Sequence, residues 1–288
     1  MNQRRYRLVF NRCRKSWMPV AEITHQQGQS SRTGTAATPS PCIVTLQPLR
    51  LAICAALGLV WWLSAPAQAE VRADKGAPVT QQATVLNAGN GVPLVNIQTP
   101  SAAGVSRNVY SQFDVDRNGV ILNNARNNSQ TQLGGWVQGN PWLAKGTARI
   151  ILNEVNASDP SKLRGYVEVA GSRAQVIIAN PAGIQCDGCG FINAHRVTLT
   201  TGNAVLNHGN LDGYRVQRGV IDISGAGMDS READYTDLIA RAVRVNAGLW
   251  ASTLKVTAGA NEVSADHSGT TGTAATGTAP VYGIDSAV

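Results

Sequence analysis

From Val71 onward, short apolar runs rich in β-branched residues recur between clusters of Gly, Asn, Asp and Pro. They read VPLVNI (92–97), GVILNN (119–124), YVEVAG (166–171), AQVIIAN (174–180), RVTLTTG (196–202), YRVQRGVIDI (214–223) and TLKVTAG (253–259). Runs of this length, punctuated by residues that accept turn conformations, predict strands and an all-β body. In YVEVAG the alternation sets Val167 and Val169 on one face and Tyr166, Glu168 and Ala170 on the other, the pattern of a half-buried strand. Periodicity alone leaves sandwich, barrel and solenoid open. Asn and Gly at nearly every turn favour a stacked solenoid, because both accept left-handed backbone angles and can repeat from rung to rung. Rungs of about 20 to 45 residues would give roughly five to ten coils. Tyr235, Leu238, Ile239, Ala242 and Val245 also fit a helical stripe, although strand is expected there too. Residues 264–280, SADHSGTTGTAATGTAP, have almost no apolar bulk and predict a loop or flexible exit before a last short piece, VYGIDSAV.

Ahead of the body the pattern changes. Arg50 precedes a 14-residue apolar run, LAICAALGLVWWLS, which is followed by Pro66 and the small-residue site Ala67-Gln68-Ala69. The run is too short for a bilayer-spanning anchor and has the flanks of a signal peptide, so the mature chain is expected to begin at Glu70. The formal charge of +7 resides entirely in residues 1–69, where eight Lys and Arg face a single acid, Glu22. The body is therefore neutral, and the high isoelectric point makes no case for nucleic acid as a partner. Cys13, Cys42 and Cys54 belong to the leader, which leaves Cys186 and Cys189 as the thiols of an exported body. Three regions result: an extended leader 1–69, with an extension over 1–24 and a signal core over 50–69; a body over 70–263; and a flexible tail over 264–288.

The extension YRLVFNRCRKSWMPVAE resembles the one found on very large secreted proteins of Gram-negative bacteria, where it is thought to modulate inner-membrane targeting. Residues 84–263 resemble the two-partner secretion domain of the filamentous haemagglutinin family, which also heads the exoproteins of contact-dependent growth inhibition. The matching segments are NGVPLVNIQTPSAAGVSRNVYSQFDV (90–115), GVILNN, NPWL (140–143), AQVIIANPAGIQCDGCGFIN (174–193), VTLTTGNA (197–204) and YTDLIARAVRVNAGLWASTLKVTAGAN (235–261). The resemblance implies a right-handed parallel β-helix whose open end is capped by N-terminal β-strands. It also implies recognition by the periplasmic domains of an outer-membrane transporter, with a host or neighbouring-cell receptor as a further partner. Two motifs of the family have an Asn-Pro-Asn core. Here they read Asn140-Pro141-Trp142-Leu143 and Asn180-Pro181-Ala182-Gly183, so both keep Asn-Pro and lose the second Asn.

Asn-Pro starts a tight turn, because Pro presets its own backbone angle and the Asn side chain bonds the backbone beyond it. Gly183 then permits a positive angle that Ala182 resists. Turn chemistry explains each of these residues; that they also hold the surface a transporter reads is what the resemblance adds. Cys186-Asp187-Gly188-Cys189 has the spacing of a disulfide, half a zinc site or a redox pair. Cys186, Cys189, His195 and His208 are the ligand types for zinc, but the oxidising destination favours a disulfide without metal. Asp114-Val115-Asp116-Arg117-Asn118-Gly119 matches the first half of a calcium loop, yet Ala125 stands where the closing Glu is needed, so a turn is expected. His195, His208 and His267 lack a nucleophile and acid at motif spacing and are expected at the surface, with no catalytic residue and no cofactor. The functions in contention are a secretion-targeting module that seeds β-helix folding, a surface adhesin or truncated growth-inhibition toxin, and a β-helical polysaccharide enzyme. The scattered acids disfavour the enzyme.

Overall fold

The computed structural model describes residues 6–11, 16–21 and 70–277. In the leader, Tyr6–Asn11 and Ser16–Ala21 pair as an antiparallel hairpin. The apolar run and the cleavage residues Ala67 and Ala69 lie outside the described residues.

In the body the chain winds repeatedly around three faces. The first face stacks Val105–Phe113, Ile150–Val155, Ala174–Ala179, Ala194–Thr200, Tyr235–Ala240 and Leu254–Ala258 in parallel. The second stacks Ser161–Leu163, Ile184–Cys186, Val220–Ile223 and Ala242–Val245. The third stacks Pro93–Asn96, Val120–Asn124, Tyr166–Gly171, Cys189–Ile192, Met228–Ser230 and Leu249–Ala251. Each neighbour within a face comes from the next turn of the chain, which makes the body a parallel β-helix. Short corners between faces suffice because the parallel return is made by the coil itself rather than by a crossover helix. The segment 235–245 divides into Tyr235–Ala240 on the first face and Ala242–Val245 on the second. Leu238 enters the interior while Ile239 packs on the outside, and Tyr235 and Val245 stay about half exposed, so the apparent helical stripe is spread over both sides of two strands and forms no single face.

The N-terminal edge is closed as expected. Val71–Ala73 runs antiparallel to Val105–Phe113, and Thr84–Asn87 antiparallel to Pro93–Asn96. Both occupy strand edges that would otherwise be open to pairing with another chain.

Two expectations need correction. YVEVAG is buried on both sides rather than half-buried. Val167 and Val169 join the coil interior, while Ala170 packs with Ile121, Val137 and partly buried Leu133 in a separate cluster outside the third face. That cluster lies under the hairpin of Ser129–Thr131 and Gly135–Val137, whose turn is fixed when the Glu168 carboxylate accepts from the backbone N–H groups of Gln132 (2.7 Å) and Leu133 (2.8 Å). The tail is not free from residue 264. Asn203–Asn207, Asn210–Arg215, Asn261–Ser264 and Thr270–Gly272 form a four-stranded antiparallel outer sheet, and the expected boundary at 263 falls inside one of its strands. Composition missed this because the segment is held by backbone pairing and by few apolar side chains. The outer sheet lies over the first face, where Tyr214, Val216 and Val263 pack with Val105, Leu152, Ile177 and Ile239.

Candidate functional site

The two Asn-Pro turns occupy coil corners, and both asparagines are buried. Asn140 donates through Nδ2 to the carbonyls of Ile97 (2.8 Å) and Asn123 (2.9 Å), and its Oδ1 accepts from the Trp142 N–H (3.0 Å). Pro141 opens a short 3-10 turn, Pro141–Leu143, where its missing N–H costs nothing, and Leu143 closes that turn inside the core. Asn123 in turn donates to Asn96 Oδ1 (2.7 Å) on the neighbouring coil, so the corner belongs to an Asn ladder.

Asn180 repeats the arrangement. It donates through Nδ2 to the Asp159 carbonyl (3.1 Å) and Ser161 Oγ (3.0 Å) and accepts from the Ala182 N–H (2.9 Å). The Gly183 N–H returns to the Asn180 carbonyl (3.0 Å). Gly183 has φ 130°, and a Cβ there would stand 2.9 Å from the Val220 carbonyl, so only glycine fits. Each motif asparagine thus has both ends of its amide engaged by its own fold. The positions that lost the second Asn differ: Trp142 is 45 % exposed and helps line a cavity of about 730 Å³ with Val71, Val79, Thr84 and Val85, whereas Ala182 makes a turn N–H available and little else.

Cys186 and Cys189 form a disulfide with Cα atoms 5.3 Å apart at the corner between the second and third faces. Asp187, in the bridged loop, accepts from the Ala226 N–H (2.9 Å), tying this corner to the next coil. Cys186 and Cys189 are therefore engaged with each other, and among the described residues no group of three metal-binding side chains comes together. The half-calcium motif is a turn: Asp114 accepts from the Lys162 N–H (2.8 Å), Asp116 from the Asn118 N–H (2.8 Å), and Ala125 is buried.

The histidines are dispersed. His208 sits exposed at a hairpin tip with φ 49°. His195 is half-buried, and burial together with Arg173 holds its imidazole below the usual histidine range. His267 corrects the expectation of a surface residue: it is 2 % exposed, with Nδ1 2.7 Å from Asp237 Oδ1. Asp237 also accepts from Arg196 Nε (2.8 Å), and Arg196 lies over the Tyr235 ring. Burial alone would raise the Asp237 carboxyl, but the bonds from His267 and Arg196 outweigh it and hold it below the usual carboxylate range. Burial pushes the Tyr214 hydroxyl up, and its ring meets the His267 ring edge-on. One signal of this cluster was available in the sequence: Asp237 interrupts an otherwise uncharged strand, YTDLIA.

Comparison with known proteins accords with this geometry. The sequence model of the TPS secretion domain matches residues 69–287, and that of the extended signal peptide of the type V secretion system matches residues 1–49. The toxin CdiA of Yersinia pestis is 56 % identical over 93 % of this chain, and the tRNA nuclease CdiA-2 of Burkholderia pseudomallei is 44 % identical over 99 %. The chain spans only 8 % and 9 % of the length of these relatives. The crystal structure of the filamentous hemagglutinin secretion domain superposes with a TM-score of 0.64 at 34 % identity, covering 73 % of this chain and 70 % of that one.

Proposed function

Because the chain belongs to the TPS secretion-domain family and begins with the extended signal peptide of type V secretion, we propose that its body is bound by the periplasmic domains of an outer-membrane transporter as a largely unfolded chain. Export through the Gram-negative envelope to the cell surface or medium follows from the two matched segments themselves. One observation carries the reading of the bound state. In the folded body the Asn140 and Asn180 amides are buried and fully engaged, so a transporter that reads Asn-Pro meets it before the corners close. The body suits that route, since it is neutral, and parallel coils pair residues distant in sequence, which slows folding.

Once outside, the domain seeds the coils that follow it. Val245, Leu254 and Val256, on its last coil, are each about half exposed, whereas their register partners one coil earlier, Ile223, Thr236 and Leu238, are buried. A strand edge with exposed apolar side chains is a template for parallel stacking. The matched region is the secretion domain, which supports reading the role as targeting and folding, and the nuclease activity named for a relative is not assigned to it. Mature protein starts at Glu70, whose carbonyl accepts from the Asp114 N–H (3.0 Å), so the first residue after cleavage is already part of the cap.

The test is co-expression with the cognate transporter, measuring protein in the medium for wild type, Asn140→Ala and Asn180→Ala. Both variants should be exported less than wild type. Wild-type export without the transporter would overturn the functional reading; undiminished export of both variants would overturn the assignment of the motifs. N-terminal sequencing of the exported protein checks Glu70, and a start upstream of Arg50 would refute that assignment.

A further inference from the structure

The outer sheet extends along the coil stack and is fastened at both ends. At its Asn207–Asn210 tip, Ser101 Oγ beside the first coil donates to the Gly209 carbonyl (2.7 Å). At the other end His267 reaches Asp237, and Lys255 Nζ on the last coil donates to the His267 carbonyl. Between them runs one column of register partners on the first face, Arg107, Leu152, Ile177, Thr198, Asp237 and Lys255. Its middle, Leu152, Ile177, Thr198 and Asp237, is buried, so the four inner coils all contribute to what lies beneath the sheet, while Arg107 is only partly covered and Lys255 stays exposed.

Residues 261–272 form the last part of this sheet and the part with the least apolar anchorage. Val263 is their one buried apolar side chain. The loop between its two strands, Asn261–Ser264 and Thr270–Gly272, is built to present His267. Asp266 accepts from Ser264 Oγ (2.5 Å), Ser268 N (3.0 Å) and Ser268 Oγ (2.7 Å), and His267 takes φ 60°, which aims its ring inward. A left-handed non-glycine residue at a buried position is strained, and it persists here because the imidazole has a partner beneath it.

We propose that residues 261–272 are a strap that closes last and is latched by insertion of His267 against Asp237 and Arg196, locking the finished coil stack lengthwise. The strap cannot latch early. Its receptor is made by two neighbouring coils, Arg196 from Ala194–Thr200 and Asp237 from Tyr235–Ala240, and its own first strand starts only after the last coil. A small apolar anchor and a single buried polar latch make it a unit that opens separately from the stack. In the setting proposed above, on which this inference rests, the strap closes once the coils of this domain are stacked and leaves the transport step untouched.

Hydrogen exchange on the exported chain tests this, comparing wild type with His267→Ala, Asp237→Ala and the double variant. Amides of 262–264 and 270–272 should exchange about tenfold to a hundredfold faster in each single variant, from the loss of hydrogen bonds to a charged group. The double variant should be little worse than either single one, because the two residues act through one contact. Exchange in Ala174–Ala179 should stay at the wild-type rate, and the amount exported should equal wild type. Wild-type exchange in the strap of both single variants would overturn the latch; faster exchange of strap and Ala174–Ala179 together would overturn the strap as a separate unit. Failure of the secretion reading would appear differently, as export that ignores the transporter.

Discussion

Replacing Asn180 with Ala is the sharpest test of the corner chemistry. The substitution removes three hydrogen bonds at a fully buried position. Their partners do not lose equally. Asp159 is an exposed residue whose carbonyl can turn to water, whereas Ser161 is 2 % exposed and the Ala182 N–H is only partly accessible. Leaving a buried polar group without a partner costs about 1–3 kcal/mol, so one fully and one partly orphaned group give about 2–4 kcal/mol. That is well above the cost of about 1 kcal/mol for an average substitution. Urea unfolding of exported wild type and variant measures it, with the midpoint shifting and the slope unchanged. Ser161→Ala supplies the control. Asn180 keeps the Asp159 carbonyl in that variant, so the loss should be near 1 kcal/mol, and the double variant should be less destabilised than the sum by about 1 kcal/mol because no hydroxyl remains to be orphaned. A loss below about 0.5 kcal/mol for Asn180→Ala, or strict additivity in the double variant, would refute the reasoning.

Gly183→Ala should destabilise by about 1–3 kcal/mol, since φ 130° suits only glycine and the new Cβ would press on the Val220 carbonyl; an unchanged urea midpoint would show that the corner relaxes freely. Mass spectrometry of alkylated, unreduced protein should find neither Cys186 nor Cys189 modified, and the Cys186→Ser/Cys189→Ser double variant should lose about 2 kcal/mol, as expected for so short a loop. Asp237 is held below the usual carboxylate range by its partners, so its contribution is fully present above the unfolded value of about 3.9 and is lost as pH falls through the lower folded value. Protection of the strap should accordingly drop in strong acid, and Asp237→Asn should flatten that dependence; a wild-type strap equally protected at pH 7 and pH 2.5 would contradict it.

The sequence by itself determined the export class and the strands, because each rests on local chemistry, while the parallel β-helix came with the family resemblance, the turns only favouring a solenoid over a sandwich or barrel. An apolar run between Arg50 and Ala67-Gln68-Ala69 can be read without knowing what surrounds it, and so can β-branched runs separated by Asn and Gly. Asn-Pro announced its corners for the same reason: the side chain bonds the backbone two residues on, as Trp142 and Ala182 show. The pairing of Cys186 with Cys189 was also within reach, being a contact across three residues. What the tertiary structure decided is everything outside the coil. Alternation in YVEVAG promises one wet face, but whether Glu168 and Ala170 meet water depends on the hairpin at 129–137. Composition likewise makes SADHSGTTG a free tail, since a strand held by backbone bonds to residues fifty positions earlier leaves little trace in its own side chains. His267 and Asp237 are thirty residues apart, and only the outer sheet brings an isolated histidine over a carboxylate buried in the first face. Burial and partnership are properties of neighbours in space, and in a solenoid clad on two sides those neighbours come from other coils and from the cladding.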